Sequence, residues 1–370
     1  LLYAYCRGVF SSRRIMQACA ERVTFRVIVG EDIPDFRTIS DFRKLHLKEL
    51  AGLFVEGLRL CAGAGLVKVG LVSLDGTKVK ANASRHKAMS YEYMQKEEER
   101  LQKEMAELAR RETRLVKIQE AKKALEKQAL AAARAETARR QSEDDARRAV
   151  GETPRGRAPV DATPEPKAQR NFTDPESKIM KVSNKGFEQC GNAQIVCNEE
   201  QIILAADVTD QANDKRQVQP MVTQAQENLA AAGAEEKIGA LDADTGYYSE
   251  ENVSHLEGEK IDPYIATERL KHHEKASCAS DPDPPVGGPA DHLTPQERMA
   301  RKLRTKHGRE TYAQRKGMIE PIFGQIKQVR GFRQFLLRGL AKMRGEWSLI
   351  CLTHNLRKLF GSGRWAVAVG

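Results

Sequence analysis

The chain has 370 residues, with 61 Lys and Arg against 51 Asp and Glu and a formal net charge of +10. Its 40% hydrophobic and 30% charged residues suffice for a core but not over the whole length, which excludes a wholly disordered chain and predicts some solvated helix or linker. The longest apolar runs, Trp347–Leu352 and Trp365–Val369, fall far short of the ~20 residues that span a bilayer.

Residues 1–66 read as a helical region. Ser11 and Ser12 can cap a helix to about Arg26, Gly30–Pro34 breaks it, and Ser40 caps a second helix to about Ala64. Phe42, Leu45, Leu50, Phe54, Leu58 and Cys61 recur at helical spacing on that second helix. The chain begins at Leu1 and its first Met is Met16, inside a helical pattern, which predicts a region cut short at its N-terminus. From Leu66 the pattern becomes Leu-Val-Lys-Val-Gly-Leu-Val-Ser-Leu-Asp-Gly-Thr, a strand closing in an Asp-Gly turn, with Asp75 at the strand end.

Residues 91–150 carry neither Pro nor Gly, and Met94, Leu101, Leu108 and Leu115 lie seven apart beside Met105, Ile118 and Leu125. That seam predicts a long, coiled-coil-like helical arm. Pro154, Pro159, Pro164 and Pro166 mark a flexible linker over Gly151–Arg170. Strands are predicted at Lys178–Val182, Ala193–Cys197 and Gln201–Val208, the last two joined by Asn198-Glu199-Glu200. A helix over Pro220–Ala232 follows, then strands over Ile238–Asp244 and Asp262–Thr267 and a low-order stretch over Ser277–Pro289. From Thr294 to Phe360 the chain reads as helical and basic, with breaks at Gly317, Gly324, Gly331 and Gly339.

This order of elements packs most naturally as a mixed sheet with helices on its faces, an α/β class. The segments are a partial helical region at 1–66, the first part of the core at 67–90, arm and linker at 91–170, the rest of the core at 171–335, and a closing helix and tail at 336–370. Seven scattered cysteines without a Cys-x-x-Cys pair predict reduced thiols rather than a disulfide framework or a zinc site. Cys190 and Cys197 fit the two ends of a hairpin.

Two carboxylates on strand ends stand out, Asp75 and one of the pair Asp242 and Asp244. Strand alternation turns Asp242 and Asp244 to the same side, and Asp244 is nearer the turn before Gly246. A third, Glu320, shares a helix face with Lys327 two turns on, beside an apolar stripe of Ile319, Ile322, Phe323 and Ile326. An Asp before Gly is by itself a turn former, and an exposed helix Glu is by itself a solvated residue. Gathered in a basic protein, three such acids suit two divalent ions about 3.5–4 Å apart that drive phosphodiester displacement. Magnesium takes hard oxygen ligands, hence Asp and Glu rather than Cys or His, and Lys and Arg nearby would hold nucleic-acid phosphates.

Several motifs resemble bacterial insertion-sequence transposases of the DDE type. They are Asp75-Gly76-Thr77-Lys78 with Ala81-Asn82-Ala83-Ser84, Asn171-Phe172-Thr173-Asp174-Pro175-Glu176-Ser177, Ala243-Asp244-Thr245-Gly246-Tyr247, and Glu320-Pro321-Ile322-Phe323-Gly324-Gln325-Ile326-Lys327. Pro34 to Arg43 is similar to that family's helical N-terminal region and His354 to Leu359 to its closing helix, so the resemblance covers nearly the whole chain. Among its branches the chain most resembles the insertion-sequence family numbered eleven eighty-two. Where that family tends to have Tyr-Asn-Ala-Gln, this chain has Gly191-Asn192-Ala193-Gln194.

The resemblance implies a ribonuclease H-like core and two Mg2+ ions, with Mn2+ able to substitute, held by Asp75, Asp244 and Glu320 as the catalytic triad. It implies double-stranded DNA as partner, both element ends and target, a homodimer to bring two ends together, and a bacterial cytoplasmic, nucleoid-associated location. Arg315, Lys316, Lys327, Arg330 and Arg333 would contact DNA. Tyr312 and Arg315 keep the mutual spacing of the family's Tyr-Arg-Glu-Lys signature but stand one residue further from Glu320. Two other readings remain: a nuclease on the same core that cuts without joining, and an inactive remnant that binds DNA or self-associates.

Overall fold

The computed structural model describes residues 1–30, 32–104, 109–149, 158, 160–182, 186–234, 236–268, 285 and 293–365. Met105, Leu108, Cys278, nearly all of the stretch over Ser277–Pro289 and the last tail residues lie outside them. The chain divides into two compact units, Leu1–Asn82 with Met180–Gly370, and Ala83–Ile179. No helix among the described residues is long and apolar enough to cross a membrane.

The strands are β1 (Leu71–Lys80), β2 (Ala88–Ser90), β3 (Gln169–Asn171), β4 (Lys178–Lys181), β5 (Phe187–Asn198), β6 (Ile203–Thr209), β7 (Ala240–Ala243) and β8 (Asp262–Ile265). The main sheet has the order β4-β5-β1-β7-β8, with β6 also on β5. β5 is antiparallel to β1 and β6, whereas β1, β7 and β8 run parallel. Among β1, β5, β6, β7 and β8, the spatial order is thus third, second, first, fourth and fifth along the chain, an arrangement compatible with a ribonuclease H-like core. The β5–β6 turn is the one expected: the Asn198 side-chain oxygen accepts from the Ile202 amide at 2.9 Å, and Gln201 takes a left-handed φ of 60°.

Asp75 does not end its strand in a turn. β1 continues to Lys80, pairing Asp75 with Ile195 and Gly76 with Gln194 on β5. The glycine instead leaves room for the Gln194 amide, which a Cβ at Gly76 would displace from its bonds to Asp214 and Tyr247. Cys190 and Cys197 both lie buried on β5, not at two ends of a hairpin, and the six cysteines among the described residues are free.

The helical N-terminal region comprises α1 (Leu2–Cys6), α2 (Ser12–Glu21), α3 (Val23–Val29), α4 (Phe36–Leu45) and α5 (Leu47–Gly63). The first break comes at Arg22, whose backbone is extended, and not at Arg26. The second helix is capped by Asp35, which accepts from the Arg37 amide at 2.8 Å, and not by Ser40. A further bend at His46 separates α4 from α5, so Phe42 and Leu45 leave the apolar stripe and are exposed, while Leu50, Phe54, Leu58 and Cys61 stay buried.

In the second unit α6 (Tyr91–Glu104) folds back along the first half of α7 (Ala109–Ala149). Tyr91 bonds Glu126 and Lys122 pairs with Glu98, an antiparallel register that buries Met94, Leu101, Leu115, Ile118 and Leu125. The Arg140 guanidinium donates to the Ala158 carbonyl at 3.2 Å, so the described part of the linker is tied to α7.

The remaining helices are α8 (Val218–Ala231), α9 (Glu250–Gly258), α10 (Pro295–Arg304), α11 (Lys306–Gly324) and α12 (Leu340–Gly361). The short α9 carries too little apolar periodicity to be read from sequence. Gly317 and Gly324 do not break α11, which runs into a π-helical turn at Gln325–Val329. Pro321 removes the amide that would bond the Gly317 carbonyl, and the Gln201 side-chain amide replaces it at 2.8 Å. Of the four glycines only Gly331 and Gly339 stand at breaks, with φ of 75° and 86°, and a further break falls at Thr305, whose extended backbone separates α10 from α11.

Candidate active site

In the parallel pair β1–β7, Ser73 stands beside Asp242 and Leu74 beside Ala243. Residues two apart share a face, so Ser73 and Asp75 on β1 face the same way as Asp242 and Asp244. The pairing with β7 stops one residue before Asp75, which leaves its carboxylate at the open end of the two strands.

Asp75 Oδ1 accepts from the Gly76 amide at 2.7 Å, and Oδ2 takes the Arg315 guanidinium at 2.5 Å. Burial pushes the Asp75 carboxyl up to about 6, opposed by Arg315 and reinforced by Asp244. Asp242 is fully buried, and neither of its oxygens has a hydrogen-bond partner among the described residues. Burial pushes it up to about 7; Arg315, whose Nε is 3.9 Å away, opposes that shift.

Asp244 lies just beyond β7, where its Oδ1 accepts from the Gly246 amide at 2.8 Å and caps a short turn over Thr245–Tyr247. A Cβ at Gly246 would stand 2.9 Å from that oxygen, a local reason for Asp-Thr-Gly. The buried Tyr247 hydroxyl bonds the Gln194 side chain, and Gln194 in turn donates to Asp214 at 2.9 Å. Asn192 and Lys78 donate to the same Asp214 oxygen. The Asn-Ala-Gln motif, whose polar side chains alternate to one face, therefore holds an acid that no motif signalled. Asp214 adds negative charge at Asp75 and at Tyr247.

α11 crosses this edge with Met318, Ile319 and Ile322 buried and Tyr312 and Arg315 facing the acids. Burial pushes the Tyr312 hydroxyl up to about 12, with Asp244, Asp242 and Asp75 adding to the shift. Glu320 is exposed and has no hydrogen bond or ion pair among the described residues. Lys327 reaches the Thr77 hydroxyl and the Lys78 carbonyl on β1, and burial lowers its pKa. Lys316 and Arg333 are exposed.

Arg330 does not lie on a DNA-facing surface. It is 5% exposed, donates to the carbonyls of Ile350 and Tyr5 and to the Thr353 hydroxyl, and lies over the Phe10 ring. It fastens α1 to α12, partners far away in sequence.

The structure thus gathers Asp75, Asp242, Asp244, Tyr312 and Arg315, while Glu320 makes no hydrogen bond or ion pair with any of them. Among the described residues no three His, Cys, Asp or Glu side chains form a metal-holding group. The donor chemistry nonetheless suits a hard divalent cation: among the described residues the groups offered are carboxylate oxygens and the Tyr312 hydroxyl, and both Asp242 oxygens lack a partner.

The family described as Transposase DDE domain matches residues 289–360, and the transposase domain DUF772 matches residues 1–45. The first range includes Tyr312, Arg315, Glu320 and Lys327; neither includes Asp75 or Asp244. No curated protein and no solved structure matches the chain. The chain is thus similar to transposase families at both of its ends, which indicates an insertion-sequence transposase of the DDE type.

Proposed function

We propose that this chain is a DNA transposase that cuts a phosphodiester at the end of a mobile element and transfers the freed 3′-hydroxyl into target DNA. The observation that carries this reading is the pair of parallel strands that turn Asp75 and Asp244 to one face, with α11 laid across their open end. A pair of divalent ions held by Asp75, Asp244 and Glu320, Mg2+ or Mn2+ in its place, would supply the Lewis acidity for both displacements.

The protein's own side chains prepare that edge. Arg315 compensates the Asp75 charge, so the acids can stand close together without a bound cation. Asp242 is the buried alternative to Asp244 as second aspartate. Lys327 is anchored against Thr77, which stands two residues along β1 from Asp75, and would hold a DNA phosphate there. Lys316 and Arg333 add charge on exposed positions. Two element ends have to meet, so a homodimer on double-stranded DNA in a bacterial nucleoid is part of the proposal.

The test is a strand-transfer assay with the full chain, Mg2+ and a duplex carrying the element's own ends. Wild type is expected to yield cut and joined products, and Asp75→Asn to bind the duplex without cutting it. Normal cutting by Asp75→Asn would refute the site. The exposed Glu320 and the Arg315–Asp75 ion pair favour one second reading, a DNA-binding or self-associating protein that does not cut. It predicts duplex binding unchanged by removing Mg2+ and no cleavage by wild type. Cut products without joined ones would instead identify a nuclease.

A further inference from the structure

Away from the aspartates, a cavity of about 460 Å³ opens where α2 begins, beside α4 and the approach to α12. No Asp or Glu lines it, whereas Lys44, Arg338 and Lys342 do, together with the hydroxyls of Ser11, Ser12 and Ser40. Those three hydroxyls and the Lys342 ammonium have no hydrogen-bond partner among the described residues, and Ser11 caps α2 without a side-chain bond. Arg338 spends its Nε on the Asn82 carbonyl, at 2.9 Å, which leaves its terminal amino groups for a ligand. Lys44 pairs with the exposed Asp41 at 2.9 Å. In the wall lies Arg43, 4% exposed, fixed by the Tyr5 hydroxyl and the Phe10 carbonyl, with its Nε unpartnered.

We infer that this cavity binds a backbone phosphate of double-stranded DNA, as an anchor separate from the cutting edge. A phosphodiester needs several N–H and O–H donors around a positive centre. Here a helix N-terminus, three free hydroxyls and four cations converge on one cavity with no competing acid in its lining. Inorganic phosphate shares that chemistry. The choice of DNA rests on the transposase reading and on a net charge of +10, which suits a polyanion.

The probes are a labelled non-specific duplex and, separately, inorganic phosphate, both with the full chain. Arg338 and Lys342 are exposed, so the double variant Arg338→Ala/Lys342→Ala should fold, as its melting temperature checks. Lys342→Glu repeats the test by charge reversal. The double variant is expected to weaken duplex binding at least ~10-fold and to lower the salt slope of log K by about 2, near 0.9 for each lost contact. Lys237→Ala, an exposed lysine outside the cavity, is the single-charge control, compared with Lys342→Ala alone, and should change affinity less than ~2-fold. Equal duplex binding by wild type and double variant would overturn the inference. If inorganic phosphate raised the melting temperature of wild type alone while duplex affinity stayed equal, the cavity would be a free-anion site and the DNA assignment would fall. Wild type binding no duplex at all would refute the DNA reading itself.

Discussion

Glu346 shows how a buried acid far from the aspartates sets the response to pH. Its side chain is buried in α12 and accepts from the Leu336 and Leu337 amides, and burial pushes its carboxyl up to about 7. The folded state therefore keeps a proton that the unfolded chain releases near its ordinary value of 4.5. The stability this proton confers is complete below pH 4.5 and is lost as pH rises through 7. Urea unfolding of Glu346→Gln across that range should remove a decline of roughly 3 kcal/mol; an unchanged slope would contradict the assignment. At this scale the sequence singled out Asp75 and Asp244 because each sits in a short motif, and the structure gives one of those motifs a local reason, the Asp244 cap. Asp214 was illegible, since its three donors come from β1 and β5, and so was the burial of Arg330, whose partners lie on α1 and α12.

Elements follow their local signals where those signals are strong. Thr294 and Glu297 form a reciprocal capping box at the start of α10, and Thr294→Ala should cost about 1 kcal/mol in chemical denaturation. Gly308 opens α11 where a Cβ would overlap the Lys302 carbonyl, a backbone atom that cannot turn aside. Gly308→Ala should cost more than the cap, about 1–3 kcal/mol by forced backbone shift, and an effect below that of Thr294→Ala would show that the corner can relax. Elements were misread where one residue type serves two purposes. Asp75-Gly76 has the composition of a turn, yet the glycine clears space for Gln194 inside a continuous strand. Gly317, Gly324 and Pro321 look like breaks, yet α11 passes through them because Gln201 restores the missing bond.

For the whole molecule, the decisive relation is that β1 and β5 pair directly, Lys80 opposite Cys190, although more than a hundred residues separate them in the chain. The unit Ala83–Ile179 is thus an insertion into what would otherwise be a simple hairpin. Joining Asn82 to Met180 through a short Gly-Ser linker should leave the remaining unit folding cooperatively with a near-native melting temperature; a molten product would show that the arm is needed for the core. The sheet order was only partly legible, because alternation and turns reveal strands while their neighbours are set by tertiary packing. The measurement that tests the central claim most directly is an anomalous-scattering map of crystals of the full chain with DNA and Mn2+. The account predicts a peak bound by Asp75 and Asp244, with Glu320 drawn to it and Arg315 released from Asp75. A map with no ion at Asp75, from crystals whose protein cuts DNA, would contradict it.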